Sequence, residues 1–434
     1  MKNKFKKILI ATLSFFTKKI INKYSPEVVA VTGSVGKTST KEAIFTVLSS
    51  TYNVRTNQKN YNNEIGIPLT IIGADSGGQS LFKWLGVFLK AIRLVIIKDK
   101  NYPNILILEM GADHPGDIKY LTSLVPVRVG VVTAIAPVHL EFFETIDQVA
   151  KEKSNLIKSL PKSGYAVLNM DDGLVYAMAE KTNAQVVTFG VNSPADIKAI
   201  EVAVSHDINY KDISTIQGIS FKLQYKGSTV PVLLPKVLGE HLAYTALAAI
   251  SVGIIYDLNL HVIIDALRKF EPPKGRMHII SGIKNTLIID DTYNASPLSV
   301  MKALDQLGQL TLNKKNKKFA ALGDMLELGD YTETGHRQVG QTVVKNKIDY
   351  LITVGELARD IIRSAVENGM AQDHCFGFAN SHEAGLFLQD RIKEGDLLLV
   401  KGSQGVRMEK IVKELMTEPQ RAAELLVRQG KDWE

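Results

Sequence analysis

The run Ala30-Val31-Thr32-Gly33-Ser34-Val35-Gly36-Lys37-Thr38-Ser39 joins an apolar stretch to a helix-forming one. That is the context in which a glycine-rich loop holds phosphate. Glycines at 33 and 36 let the backbone curl until its N–H groups converge on anionic oxygens at a helix N-terminus. In such a cradle, formed by Gly33, Ser34, Val35, Gly36, Lys37, Thr38 and Ser39, the Lys37 ammonium reaches the β- and γ-phosphates. The Thr38 hydroxyl ligates Mg²⁺. The first glycine of the general pattern is replaced by Val31, with Gly33 giving flexibility two residues on. The implied ligand is a nucleoside triphosphate.

Three further groups could join this chemistry. Glu109 ends the apolar run Leu106-Ile107-Leu108, where metal-bound phosphate chemistry recruits a carboxylate. A strand-end glutamate is also often only solvated. His139, in Pro137-Val138-His139-Leu140-Glu141, reads either as a ligand or as a plain loop residue. Lys153, in Ala150-Lys151-Glu152-Lys153-Ser154, reads by itself as part of a solvated helix face.

The elements that must position these groups alternate. Strands are expected at Val28–Thr32, Ile105–Glu109, Val129–Thr133 and Ala166–Leu168, with helices from Lys37 to about Ser50, at about 116–123 and at about 145–160. Strands alternating with helices imply a parallel sheet. Residues 198–234 change to short alternating stretches, a small antiparallel patch. Helices follow at about 241–255 and 261–269. Glu271-Pro272-Pro273-Lys274-Gly275 is the best hinge candidate, since two prolines stop a helix and a glycine frees the next turn. A second strand–helix series then begins at Thr286 and runs to about Met416.

Composition narrows the class. The 434 residues, 45% hydrophobic and 22% charged, suit a multidomain globular protein. A single cysteine, Cys375, excludes a disulfide framework and a Cys-based zinc site and makes a reducing cytoplasm the default compartment. No apolar run reaches the length of a spanning helix. The net charge of +7 sits wholly in residues 1–24, which hold seven lysines and no acid. The rest of the chain sums to zero, so nucleic acid is not an expected partner.

Two basic, greasy segments stand apart. Phe5, Leu9, Leu13, Phe16 and Ile20 recur at spacings of three and four, as on an amphipathic helix. A signal peptide is the competing reading, but no small-residue cleavage site follows and Lys18 and Lys19 interrupt the apolar run. Residues 81–97 (LFKWLGVFLKAIRLVII) form an apolar insertion with Lys83, Lys90 and Arg93 on one stripe. Either the two segments pack together as a cap, or residues 1–24 and 81–97 make peripheral contact with the inner membrane surface.

Several strings stand in order along the chain: Thr32–Thr38, Asn60-Tyr61-Asn62-Asn63-Glu64-Ile65-Gly66-Ile67-Pro68 and Glu109-Met110-Gly111-Ala112. His139-Leu140-Glu141, Gly275-Arg276-Met277 and Asp290-Asp291-Thr292-Tyr293-Asn294-Ala295-Ser296-Pro297 follow. Gly323-Asp324-Met325-Leu326-Glu327-Leu328-Gly329 and Lys401-Gly402-Ser403 complete the set. Together, over about residues 27–416, the chain resembles the Mur ligases, and within them the branch that adds D-alanyl-D-alanine to a peptidoglycan precursor. The spacing gives a basic amphipathic N-terminal helix over residues 1–26, and the resemblance implies a central ATP-binding domain over 27–273, with the apolar insertion at about 79–100. A C-terminal Rossmann-like α/β domain then spans 274–434. The implied reaction is ATP-dependent amide formation: a peptide carboxylate takes the γ-phosphate, and an amine displaces phosphate from the acyl phosphate.

By the same resemblance Lys37, Glu109, His139, Lys153 and Arg276 carry catalysis. Thr38, Glu109, His139 and Lys153 serve two Mg²⁺ ions, Lys153 as a carbamate. Arg276, Asp291, Tyr293 and Asn294 hold the nucleotide, and Asn62, Asn63, Lys401 and Ser403 contact substrate. Two features depart from the family. The asparagines usual near the start of one central helix are Leu242 and Thr245. Only a basic helix precedes the first ATPase strand, where the branch carries a domain for the UDP-sugar. Alternative expectations are a related ligase acting on a polyglutamate or lipid-linked acid, and a non-catalytic ATP-binding scaffold.

Overall fold

A computed structural model describes residues 2–57, 61–136, 140–204, 218–235 and 237–430, with no side-chain description for 2–5, 140 and 141. β1 (Glu27–Thr32) is buried on both faces from Val28 onward, the pattern of a central parallel strand. It lies parallel to both β3 (Ile105–Glu109) and β4 (Val129–Val132). β2 (Val54–Thr56) flanks β3, while β5 (Tyr165–Asn169) and β6 (Gln185–Gly190) extend the other side. β7 (Ile197–Val204) pairs parallel to β6, then β8 (Ile219–Tyr225) and β9 (Ser228–Leu234) add antiparallel. The antiparallel patch is therefore the far edge of one sheet, ordered β2-β3-β1-β4-β5-β6-β7-β8-β9. From β1 the chain first builds toward β2 and β3 and later toward β4. The carboxyl end of β1 is thus a switch point, where open α/β sheets form a crevice.

A second sheet is ordered β10-β11-β15-β12-β13-β14. Its strands are β10 (His278–Gly282), β11 (Thr286–Asp291), β12 (Lys318–Gly323), β13 (Tyr350–Val354), β14 (Cys375–Phe378) and β15 (Leu397–Lys401). All pairs are parallel except the hairpin of β10 and β11. The expected α/β architecture, a large parallel sheet with an antiparallel patch followed by a Rossmann-like unit, is present. Between the sheets, residues 271–277 form no regular element, and the Gly275 carbonyl accepts from Tyr293 N at 2.9 Å.

The first half of the chain holds the helices α1 (Lys2–Tyr24), α2 (Lys37–Leu48), α3 (Gly66–Ile72) and α4 (Leu81–Ile96). α2 packs with the helix Leu242–Ile255 on one face of the first sheet, through Ala43, Ile44, Val47, Ala246 and Ile250. The other face is covered by α1, α3, α4 and the helices Asp117–Leu124 and Ile146–Lys158, through Leu13, Ile67, Trp84, Ile118 and Leu156. Helix starts follow local chemistry: the Thr145 hydroxyl accepts from Gln148 N, and Ser80 does the same for Lys83 N. Among the described residues no helix is long and apolar enough to cross a membrane.

Candidate active site

The loop after β1 curls as its glycines allow. Gly36 has φ 84° and caps α2 without a side chain, leaving the first-turn N–H groups of α2 aimed out of the helix end. At Gly33 any Cβ would fall 2.0 Å from Thr133 Oγ1. That closeness is used: Ser34 N donates to Ala134 O at 2.7 Å, and Thr133 Oγ1 donates to Val35 O at 2.6 Å. The loop is thereby clamped to the end of β4. Lys37 folds across it, donating to Gly33 O at 2.8 Å and Ser34 O at 3.4 Å. Burial lowers the Lys37 ammonium, against the opposing pull of Glu109.

Strand pairing brings in Glu109, which stands in register with Val31 of β1. Its backbone N donates to Asn57 Oδ1 at 3.0 Å, and its carboxylate accepts from Asn62 Nδ2 at 3.3 Å. Asn62 O in turn accepts from Gly111 N, fastening the substrate-loop candidate to the end of β3.

Lys153 is not on a solvated face. It is 3% exposed, and Glu152 beside it caps the neighbouring helix by accepting from Gly116 N and Ile118 N at 2.8 and 2.7 Å. Burial, with Lys37 nearby, holds the Lys153 amine down to about 7. A large neutral fraction at physiological pH is what reaction with carbon dioxide requires.

The second sheet supplies the opposite wall. The register of β11 and β15 sets Asp291 beside Lys401, and the two form a buried ion pair of 2.6 Å. Lys401 also donates to Asn294 O at 3.0 Å, so one ammonium fixes the turn that carries Asp291, Tyr293 and Asn294. The Arg276 guanidinium lies 4.0 Å over the Tyr293 ring. Beside them, desolvation pushes the Asp290 carboxyl up to about 6.

A cavity of about 410 Å³ collects Ser34, Val35, Gly36, Lys37, Asn62, Asn63, Glu109, Lys153, Arg276, Asp291, Tyr293, Asn294 and Lys401. A larger one of about 970 Å³ adjoins it, sharing Asn63, Arg276 and Tyr293 and adding Thr38, Lys41, Tyr61 and Arg428. Gly33 and Ser39 line neither cavity. Nor does Ser403, whose hydroxyl accepts from Leu326 N at 2.9 Å and braces the Gly323–Leu328 loop. His139 lies outside the described residues. Leu242 and Thr245 are packed in the interior, Leu242 within the core under the first sheet.

Some lining groups escaped the sequence reading. Asp113 follows the Glu109 motif and stands near enough to Lys153 to act on it electrostatically. Arg428 donates to Tyr293 O at 3.0 Å while paired with buried Glu409 at 2.8 Å, holding the nucleotide-loop candidate from the far end of the chain. Nothing in the spacing of residues so distant signals this.

Mg²⁺ asks for hard oxygen ligands, keeps several waters and uses few carboxylates besides substrate phosphates. Thr38 and Glu109 fit that demand. Among the described residues no group of three or more His, Cys, Asp and Glu side chains is placed to hold a metal without phosphate.

The Asp291–Lys401 pair makes a testable demand on stability. Lys401→Met removes one partner of a buried pair, and such changes cost about 3–5 kcal/mol. A denaturant titration should show a lower midpoint with unchanged slope.

Residues 31–82 and 92–253 match the Mur ligase middle domain, and residues 275–404 match the Mur ligase, glutamate ligase domain. The chain is 30% identical over 392 residues to the UDP-N-acetylmuramoyl-tripeptide--D-alanyl-D-alanine ligase of Escherichia coli (strain K12), covering 89% of this chain and 76% of that one. It is 29% identical over 410 residues to the ligase of the same name from Bacillus subtilis (strain 168), covering 94% and 80%. Among solved structures, MurF ligase from Thermotoga maritima in complex with ADP matches with a TM-score of 0.75 at 25% identity, over 95% of this chain and 84% of that one. MurF from Acinetobacter baumannii matches with a TM-score of 0.75 at 26% identity, over 92% and 79%.

Proposed function

The chain belongs to the Mur ligase family, and on that premise we propose that it joins D-alanyl-D-alanine to the free carboxylate of UDP-N-acetylmuramoyl-tripeptide at the expense of ATP. This is a step of cytoplasmic peptidoglycan precursor synthesis. The observation that carries the reading is the convergence of Lys37, Glu109, Lys153 and Arg276 from separate elements on one cavity. That cavity lies at the β1 switch point and faces the Asp291–Asn294 turn.

The residues divide the work. The first-turn amides of α2 and the Lys37 ammonium receive the terminal phosphates, and Arg276 adds a second cation near the transferring group. Tyr293, Asn294 and Asp291 hold the nucleoside, on a turn that Lys401 and Arg428 keep in place. Two anions must meet when the acceptor carboxylate attacks the γ-phosphate, so catalysis is mostly positioning and charge stabilisation. The dipeptide amine then attacks the acyl carbonyl, phosphate leaves, and an amide remains.

Asn63, which lines both cavities, stands where acceptor and nucleotide meet. Asn62, Lys401 and Ser403 act by holding Glu109, Asp291 and the Gly323–Leu328 loop. Thr38 and Glu109 would hold Mg²⁺, which when bound neutralises phosphate charge and helps align the reacting oxygens. A second ion, held by Lys153 as a carbamate and by His139, completes the proposal. An ammonium cannot ligate a cation, whereas a carbamate is a carboxylate on a long arm. To this reading we add peripheral membrane contact through residues 1–24 and 81–97, a partner that no step of ligation needs.

The test is ADP release with UDP-N-acetylmuramoyl-tripeptide and a panel of amines. Turnover that depends on both the tripeptide and D-alanyl-D-alanine is the expected result. Turnover only with a different acid reassigns the substrate, and none with any acid returns the chain to an ATP-binding scaffold.

A further inference from the structure

α1 and α4 do pack together, yet their packing leaves an apolar face uncovered. Lys23 donates to Leu94 O and Val95 O at 3.0 and 2.8 Å, Tyr24 donates to Leu94 O and Ile97 O, and Phe16 meets Phe88. Trp84, Val87, Ala91 and Leu94 turn inward. On the opposite side of α4, Phe82, Leu85, Leu89, Ile92 and Ile96 recur at three, four, three and four residues, one helical stripe. They are open to solvent: Phe82 is 87% exposed, Leu89 58% and Ile96 73%. Phe15 on α1 is exposed as well. A soluble surface rarely leaves so long a row of large apolar side chains without use for it.

Charge says what covers the row. Neither α1 nor α4 contains an acid. Lys83 and Arg93 are exposed along one flank of the stripe; exposed Lys18 and Lys19 lie on α1, which flanks the other side. Lys98 and Lys100 follow at its end, with Asp99 the one acid between them. A second copy docked through this face would set two cationic rims against each other across an isologous contact, which disfavours a dimer. A protein partner would need an apolar surface ringed by acids. A bilayer rich in anionic lipid supplies both, and a helix with an apolar stripe and basic flanks lies in its interface.

We infer that α1 and α4 form a platform that docks the protein flat on an anionic lipid bilayer, with Phe82, Leu85, Leu89, Ile92 and Ile96 entering the headgroup boundary. Leu85 and Leu89, at the centre of the stripe, fall between the two segments of the middle-domain match. The platform also adjoins the larger cavity. Lys6 of α1 pairs with Glu64 at 3.0 Å, next to Asn63, and Ser76 N donates to Tyr61 OH at 2.8 Å beside α4. Docking therefore sets that cavity's rim near the lipid surface.

The experiment is co-sedimentation of the full chain with vesicles of mixed phosphatidylglycerol and phosphatidylcholine, and with phosphatidylcholine alone. Pelleting with the anionic vesicles at low salt, weakened by added salt and by removal of the anionic lipid, is expected. Each Lys or Arg at such a surface strengthens partitioning about fivefold, so Lys83→Gln with Arg93→Gln should weaken it about 25-fold. Leu85→Asp with Leu89→Asp should weaken it by at least about tenfold. Both side chains are exposed, and an unchanged circular dichroism melt shows that the variant folds. The inference is overturned if the full chain stays in the supernatant with both vesicles, or pellets equally well with both double variants. It is also overturned if sedimentation equilibrium finds a dimer that Leu85→Asp with Leu89→Asp dissolves, which assigns the face to a second copy. Pelleting is read without turnover, so it stands or falls apart from the ligase assignment.

Discussion

Lys153→Ala is expected to lose ligation by about a hundred- to thousandfold, the scale on which removing one preorganised electrostatic group acts. A short carboxylic acid such as acetate or propionate should then restore part of the rate. Rescue matters because a structural lysine would not be replaced by a free carboxylate, whereas a carbamate would. The side chain stands on the helix Ile146–Lys158, 3% exposed and close to Lys37, where a permanent ammonium would repel both Lys37 and any Mg²⁺ bound there. The unmodified amine also leaves a mark on stability. Its folded pKa of about 7 lies below the ordinary 10.5, so the unfolded chain binds more protons between those values. Stability of the unmodified wild type should therefore rise with pH from about 7 to about 10.5. Lys153→Ala should flatten that rise in a pH series of denaturant midpoints. Full activity in the variant would remove Lys153 from the chemistry.

What was legible in the sequence was local. The phosphate loop can be read because its strand, glycines, lysine and helix are contiguous, and the loop does form at the end of β1. The long buried strands are legible for the same reason, since β1, β3 and β4 are short apolar runs bounded by turns. Short strands without such runs were missed. β2 has three residues, β6 begins with exposed Gln185 and Val186, and β14 contains Gly377. Relations between distant residues were not legible at all without the family resemblance. Asp291 meets Lys401 only because β15 inserts between β11 and β12, and Arg428 meets Tyr293 across 135 residues of chain. Residues 151–153 illustrate the limit from the other side. Three charges in a row read as solvent-facing, yet Glu152 and Lys153 are buried because one caps a neighbouring helix and the other lines the cavity. The greasy segment at 81–97 was evident from composition, but only the fold separates its inward stripe from its outward one.

Lys37→Ala is expected to cut ATP turnover and ligation together while leaving the protein folded. The loss should be about three to four kcal/mol of transition-state stabilisation, or a hundred- to thousandfold in kcat, because the cation proposed to screen the transferring phosphoryl group is gone. Both of its hydrogen bonds go to carbonyls of its own loop, Gly33 O and Ser34 O. The loop is shaped independently by Gly36 and by the bonds from Ser34 N and Thr133 Oγ1. Removing the side chain therefore takes away charge and not architecture, and the thermal midpoint should move by only a few degrees. Steady-state kinetics read the distinction. If Lys37 acts chiefly on the transition state, kcat falls more than the KM for ATP rises. If it only anchors ground-state phosphate, KM rises while kcat holds. Near-normal values of both would take the loop out of the reaction, and with it the convergence on which the ligase assignment rests.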